Sequence, residues 1–221
     1  MMQHIPTPAF LAVAASPIAF LALGWMMHKV PLPPLLPLAL AALALLLFAL
    51  GNRRARALAG RQTYVFGSSD SLIDFLGKTH RVAVGCTMLG LAAEAALPGE
   101  PLHWAAWPLL SWAGIAVMIA GAALLAWAQH AMGASWRIGI PAEATGLVLR
   151  GPFRLSRNPT FLGLMLLLGG SALASPGPLQ LAGAVAAFVS MSAQIRLEEA
   201  HLLSIHGDAY TVFAARVRRW V

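Results

Sequence analysis

The sequence predicts an all-α fold: a polytopic transmembrane bundle of about five to six helices, the last two a short hairpin, followed by a cytoplasmic C-terminal helix. Three observations carry this. Hydrophobic residues make up 59% of the 221-residue chain and charged residues only 10%, and the mean hydropathy is +0.73, far from the composition of soluble domains. Apolar runs recur at residues 8–27, 33–50, 80–97, 106–130, 160–174 and 178–196, set against the roughly 20 residues a helix needs to cross the hydrocarbon core. The basic residues fall between these runs, which fits short cytoplasmic loops of an integral membrane protein.

The first run follows no basic segment and precedes no evident cleavage site, so it is expected to stay as a spanning helix. The first four runs are long enough to span. Between the second and third, "SSDSLIDFLGK" opens with Ser and Asp cap candidates and continues with Leu72, Ile73, Phe75 and Leu76, as a short amphipathic helix on the interface would. The last two runs, parted by Ser175, Pro176, Gly177 and Pro178, read as a tight helical hairpin. No polar or Gly/Ser-rich linker divides the chain, so residues 1–221 form a single membrane domain.

Charge sets the expected orientation. Arg53, Arg54, Arg56, Arg61, Lys78 and Arg81 follow the second run, Arg137, Arg150, Arg154 and Arg157 follow the fourth, and Arg216, Arg218 and Arg219 lie in the tail. The turns at Pro98–Glu100 and Pro176 carry no Lys or Arg. Both termini are therefore expected in the cytoplasm. The net charge of +7 is scattered among loops rather than gathered in one stripe with aromatics, so no nucleic-acid partner is expected; membrane lipids are. Cys86 has no second cysteine to pair with and reads as a buried small hydrophobe. His28 and His80 are expected at the interface, and no histidine spacing suggests a metal site.

Two stretches carry more polarity than a membrane helix needs. In "RGPFRLSRNPTFLG", Asn158 and Pro159 suit an N-cap and first helical position, which leaves Arg150, Arg154 and Arg157 to be explained as lipid anchors or as a site. At the end of the last run stand Arg196, Glu198, Glu199, His201, His206, Asp208 and Tyr210. Adjacent carboxylates at a membrane edge are repelled by anionic lipid, and ionisable groups at that depth are usually paired or functional. If the two stretches fold side by side, arginines and carboxylates line one pocket.

These residues resemble the integral-membrane methyltransferases that include the isoprenylcysteine carboxyl methyltransferases and the phospholipid methyltransferases. "GLVLRGPFRLSRNPTFLG" is similar to the family's Gly-Pro-Tyr-Arg followed by Arg-His-Pro and an aromatic, and "RLEEAHLLSIHGDAY" to its Glu-Glu, Phe-Gly and Tyr ending. The resemblance covers roughly residues 130–221. It implies a methyltransferase core there, with residues 1–100 as variable helices on the acceptor side.

The cofactor implied is S-adenosyl-L-methionine. Gly151, Pro152, Phe153, Arg154, Arg157, Asn158, Pro159 and Phe161 would form one wall of its site, and Glu198, Glu199 and Tyr210 the other. Catalysis is expected from Glu199, Arg196 and Asn158, with Arg154 or Arg157 facing Glu199. The chemistry is consistent: an arginine or helix N-terminus receives the cofactor's carboxylate, and a glutamate its ammonium. Asn158 stands where the family has His, and Phe161 where it has Tyr. Trp136 is expected in the interfacial aromatic belt, with stacking on adenine as the alternative; Arg137 is read either as a cofactor contact or as a lipid anchor.

The acceptor implied is lipidic or small and apolar, entering from the bilayer: an isoprenylcysteine-like carboxylate, a thiol or a phospholipid amine. An anionic acceptor needs no base, whereas an amine or neutral thiol would call on Glu198, Glu199 or His201. Sterol reductases look similar in the same region, so an NADPH-dependent membrane reductase is the rival enzyme reading. A degenerate, non-catalytic membrane subunit is the rival outside enzymes.

Overall fold

The computed structural model describes residues 31–60, 62–63, 71–97, 107–139 and 146–221. Six α-helices account for most of these residues: α1 (Leu35–Ala59), α2 (Leu72–Ala96), α3 (Pro108–Met132), α4 (Pro159–Ala174), α5 (Pro178–His206) and α6 (Asp208–Arg216). The first expected run, 8–27, and the turn at Pro98–Glu100 lie outside the described residues. The chain is an all-α integral membrane protein.

Helix boundaries follow local chemistry. Ser71 starts α2 by accepting the Asp74 backbone N–H at 3.2 Å. Proline occupies the first turn of α3, α4 and α5, where a missing N–H costs nothing. Gly60 closes α1 with φ +62°, its N–H returning to the Arg56 carbonyl, a left-handed conformation that glycine adopts without strain.

Among the described residues three helices are long and apolar enough to cross a membrane: Leu35–Ala59, Pro108–Ser135, in which a 3₁₀ turn extends α3, and Pro178–His206. Large apolar side chains such as Leu46, Ile119, Phe188 and Val189 point outward, as lipid contact requires. α2 is long but not among the three, because Asp74, Lys78, His80, Arg81 and Glu94 punctuate it. Within "SSDSLIDFLGK", Leu72 to Lys78 are the first turns of α2 rather than a separate short helix, and the stretch before Ser71 lies outside the described residues. Cys86 is half-buried rather than buried.

Backbone approach governs the packing. A Cβ on Gly121 would lie 2.6 Å from the Gly163 carbonyl, and one on Gly170 would lie 2.8 Å from the Gly114 carbonyl. Glycines seven residues apart on α3 thus meet glycines seven apart on antiparallel α4, and the helices touch along a small-residue seam. α2 packs on α5 in the same way, a Gly183 Cβ lying 2.7 Å from the Ala83 carbonyl and a Gly90 Cβ 2.6 Å from Gln180 Oε1. The α4–α5 hairpin forms at the expected turn, but its second arm is not short. α5 continues for 29 residues to His206, roughly 43 Å at 1.5 Å per residue. Its last turns carry the acidic cluster beyond the apolar stretch.

Candidate active site

The loop before α4 is folded by specific bonds. Gly151 has φ +61° and opens a 3₁₀ turn through Arg154 that tucks Phe153 against Ala128 and Ala131 of α3. The Ser156 hydroxyl donates to the Arg219 carbonyl at 3.1 Å and accepts the Asn158 backbone N–H at 3.1 Å. Asn158 stands at the N-cap position of α4, yet its side chain does not cap the helix. It reaches across to α5 instead, donating to Glu199 Oε1 at 3.0 Å and to the Arg219 carbonyl at 3.3 Å.

Glu199 is the centre of a clip. Arg219 Nε and Nη2 donate to Glu199 Oε2 at 3.1 and 2.8 Å, the forked geometry that makes arginine–carboxylate pairs strong. Arg157 stands 3.6 Å from Glu199 Oε1, and its backbone N–H donates to the Arg218 carbonyl at 2.9 Å. These bonds raise the Arg219 pKa above its ordinary value, the Glu199 hydrogen bonds being the main cause. Beside the clip, Tyr210 is buried at 4% exposure. Burial first, and the Glu199 charge second, push its hydroxyl pKa upward.

Next to this clip lies a cavity of about 400 Å³ reached by side chains of α1 to α5 and α6, within the usual 300–1,000 Å³ range of small-molecule sites. Its polar lining comes from His80, Arg81, Arg137, Arg157, Asn158, Thr160, Gln194 and Glu198; its apolar lining includes Leu45, Phe48, Val84, Leu125, Leu164 and Leu167. Gln194 Nε2 donates to Glu198 Oε1 at 3.1 Å. Trp136, only 3% exposed, forms part of the wall. It packs edge-on against Phe48 at 5.8 Å and donates from Nε1 to Asn52 Oδ1 at 3.2 Å, which also accepts from the Thr63 hydroxyl at 2.7 Å. The expected place in the aromatic belt is thus replaced by a buried one.

Of the residues expected at the site, Phe153, Arg157, Asn158, Pro159, Phe161 and Glu198 line the cavity. Glu199 and Tyr210 stand behind them, and Gly151 and Pro152 shape the loop without reaching the lining. Arg154 is exposed. Arg196, also exposed, turns back to the Ser192 carbonyl of its own helix at 2.6 Å. Neither arginine lines the cavity. Glu198 lines the cavity and Glu199 does not, because adjacent helical residues point about 100° apart.

Over residues 109–209 the chain matches the phospholipid methyltransferase family. That match supports, in general terms, a membrane methyltransferase. The matched segment holds α3, the loop, α4, α5 and the start of α6, and with them Arg137, Arg157, Asn158, Gln194 and Glu198. Outside it lie α1, α2 and the clip residue Arg219. No curated protein matches the chain.

The methyl donor typical of such enzymes ends in an amino acid with one carboxylate and one ammonium. Three residues lining the cavity hold a buried polar atom with no hydrogen-bond partner among the described residues: Arg157 Nε, Gln194 Oε1 and His80 Nε2. The Arg157 guanidinium, whose Nε is ion-paired with Glu199 but makes no hydrogen bond, an unused amide acceptor and the Glu198 carboxylate suit a zwitterionic ligand. His80 and Arg219 are the participants that the sequence placed elsewhere, at the interface and among the tail arginines that set the orientation. Neither has a local motif; each is defined by what it meets across the fold.

Proposed function

We propose that this protein is an S-adenosylmethionine-dependent methyltransferase acting in the membrane on a lipidic or small apolar acceptor. One observation carries the reading: a single cavity joins a charged wall, drawn from the matched segment, to an apolar wall between the helices. On this reading Arg157 receives the carboxylate of the cofactor, and Glu198 with Gln194 receives its ammonium. Trp136 and Phe48 provide flat apolar surface for the adenosyl part. The polar end faces the cytoplasm, as the loop arginines favour.

When bound, the cofactor supplies an electrophilic methyl group on a sulfonium. The protein's part is alignment. Holding donor and acceptor in line is worth about 7–11 kcal/mol of barrier, with little else required when the acceptor is an anion. Asn158 and Arg157 are held from behind by Glu199 of the clip and Glu198 by Gln194, so the charged wall is already organised. The apolar wall admits the acceptor and excludes water from the reacting end.

Calorimetric titration of the detergent-solubilised protein with S-adenosylhomocysteine, S-adenosylmethionine and NADPH tests the reading without an acceptor. Binding of both adenosyl ligands and not of NADPH is expected. NADPH binding alone points instead to a reductase, and binding of neither by folded protein to a non-catalytic subunit.

A further inference from the structure

His80 belongs to α2, outside the segment that matches the methyltransferase family. It nevertheless lines the same cavity, on a face of α2 shared with Gly77, Arg81 and Val84. Its ring lies 6.4 Å from that of Phe161 on α4. Its Nε2 is buried without a hydrogen-bond partner among the described residues. An unmet buried nitrogen is costly, and in a native fold such a group calls for a reason.

Position along the cavity gives one. α2 and α5 run antiparallel, with Gly90 at Gln180 and Thr87 at Gly183, so His80 stands level with residues near 189. Glu198 is about nine residues further along α5, roughly 13 Å at 1.5 Å per residue. The imidazole therefore lies inward from the charged wall, beside Phe161 and Val84. Glu198 and Arg157 are the groups suited to the ends of the cofactor, and Glu199 is consumed by the clip. His201, an earlier candidate base, does not line the cavity.

We propose that His80 is the general base of methyl transfer, and that the acceptor carries its nucleophile as N–H or S–H rather than as a carboxylate. This rests on the methyltransferase reading above. The acceptor's lone pair forms the new bond to the methyl carbon as the methyl–sulfur bond breaks, its electrons staying on sulfur to leave a neutral thioether. The acceptor's proton passes to His80 Nε2, giving an imidazolium that returns it to water after turnover. A carboxylate acceptor would have no proton to give. The charged groups sharing the cavity with His80 are Arg81, Arg137, Arg157 and Glu198.

The test uses the full chain in lipid vesicles with radiolabelled S-adenosylmethionine. Three acceptor probes are supplied separately: phosphatidylethanolamine, dodecanethiol and palmitate. Wild type is expected to methylate the amine or the thiol. His80→Gln is expected to bind S-adenosylhomocysteine within twofold of wild type, yet to lose at least about 100-fold in kcat at pH 7.5. Much of that loss should return by pH 9.5, where the thiol ionises or more of the amine is neutral. His80→Asn serves as the second variant, and retained ligand binding reports that each is folded. Methylation of palmitate alone, equal rates in His80→Gln and wild type, or no methylation of amine or thiol by protein that binds the ligand would each overturn the assignment. Failure of wild type to bind S-adenosylhomocysteine would instead overturn the methyltransferase reading itself.

Discussion

Replacing Arg219 with Ala removes the fork that holds Glu199, and the structure gives the size of the effect. Arg219 donates to both Glu199 oxygens over 2.8 to 3.2 Å, and hydrogen bonds to charged groups contribute about 1.5–3 kcal/mol each. The Arg219 side chain is 36% exposed, so solvent screening lowers the pair to about 2 kcal/mol in total. Glu199 keeps Asn158 at 3.0 Å and Arg157 at 3.6 Å, so the loss falls on docking of the tail and not on the bundle. Hydrogen exchange provides a direct probe, because the Arg157 backbone N–H donates to the Arg218 carbonyl. Two kcal/mol corresponds to roughly 30-fold faster exchange at that amide and in the tail, while amides in the middle of α3 stay unchanged. Arg219→Lys should fall between the two, since an ammonium cannot reproduce the fork. Unchanged protection at Arg157 in Arg219→Ala would refute the clip.

Other outcomes follow from the same geometry. Gly163→Val drives a side chain into the Gly121 carbonyl, 2.9 Å from the position of the first added carbon, and should destabilise by at least about 1–3 kcal/mol, read as a lower unfolding temperature in detergent. Tyr210, with its raised pKa, favours the folded state while neutral; that contribution is complete below about pH 10, the unfolded value, and is lost as pH climbs through the folded one. Tyr210→Phe should accordingly flatten the alkaline decline in thermal stability, and an identical decline would contradict this. Arg154→Ala and Arg196→Ala, both off the cavity, should each leave S-adenosylhomocysteine affinity within twofold by calorimetry; a tenfold loss in either would return it to the site.

Elements with local causes were legible in the sequence. The Pro176–Gly177 turn and the proline start of α4 follow from nearby residues, whereas the meeting of the 150–159 loop with the acidic end of α5 was only a condition that the fold meets. Asn158 and Pro159 were placed correctly at the start of α4, but the Asn158 side chain answers to Glu199, 41 positions away, and leaves the cap unmade. Glu198 and Glu199 show the limit most clearly. A doublet fixes neither helix phase nor partner, so which carboxylate meets the cavity depends on how α5 packs. Arg219 looks like any tail arginine near a membrane, and His80 like any interfacial histidine, until α2 is set against α4 and α5. Trp136 likewise owes its burial to Asn52 and Phe48 on α1.

On the proposed reading the charged wall of the cavity holds a zwitterionic adenosyl ligand, with Glu198 as its carboxylate. Titration of wild type, Glu198→Gln and Glu199→Gln with S-adenosylhomocysteine measures it directly. Wild type should bind, and Glu198→Gln should bind about 10- to 150-fold more weakly, the 1.5–3 kcal/mol of one charge-assisted contact. Glu199→Gln should lose less, since it acts through Asn158 and Arg157. Wild-type affinity in Glu198→Gln, or a greater loss in Glu199→Gln, would contradict the account.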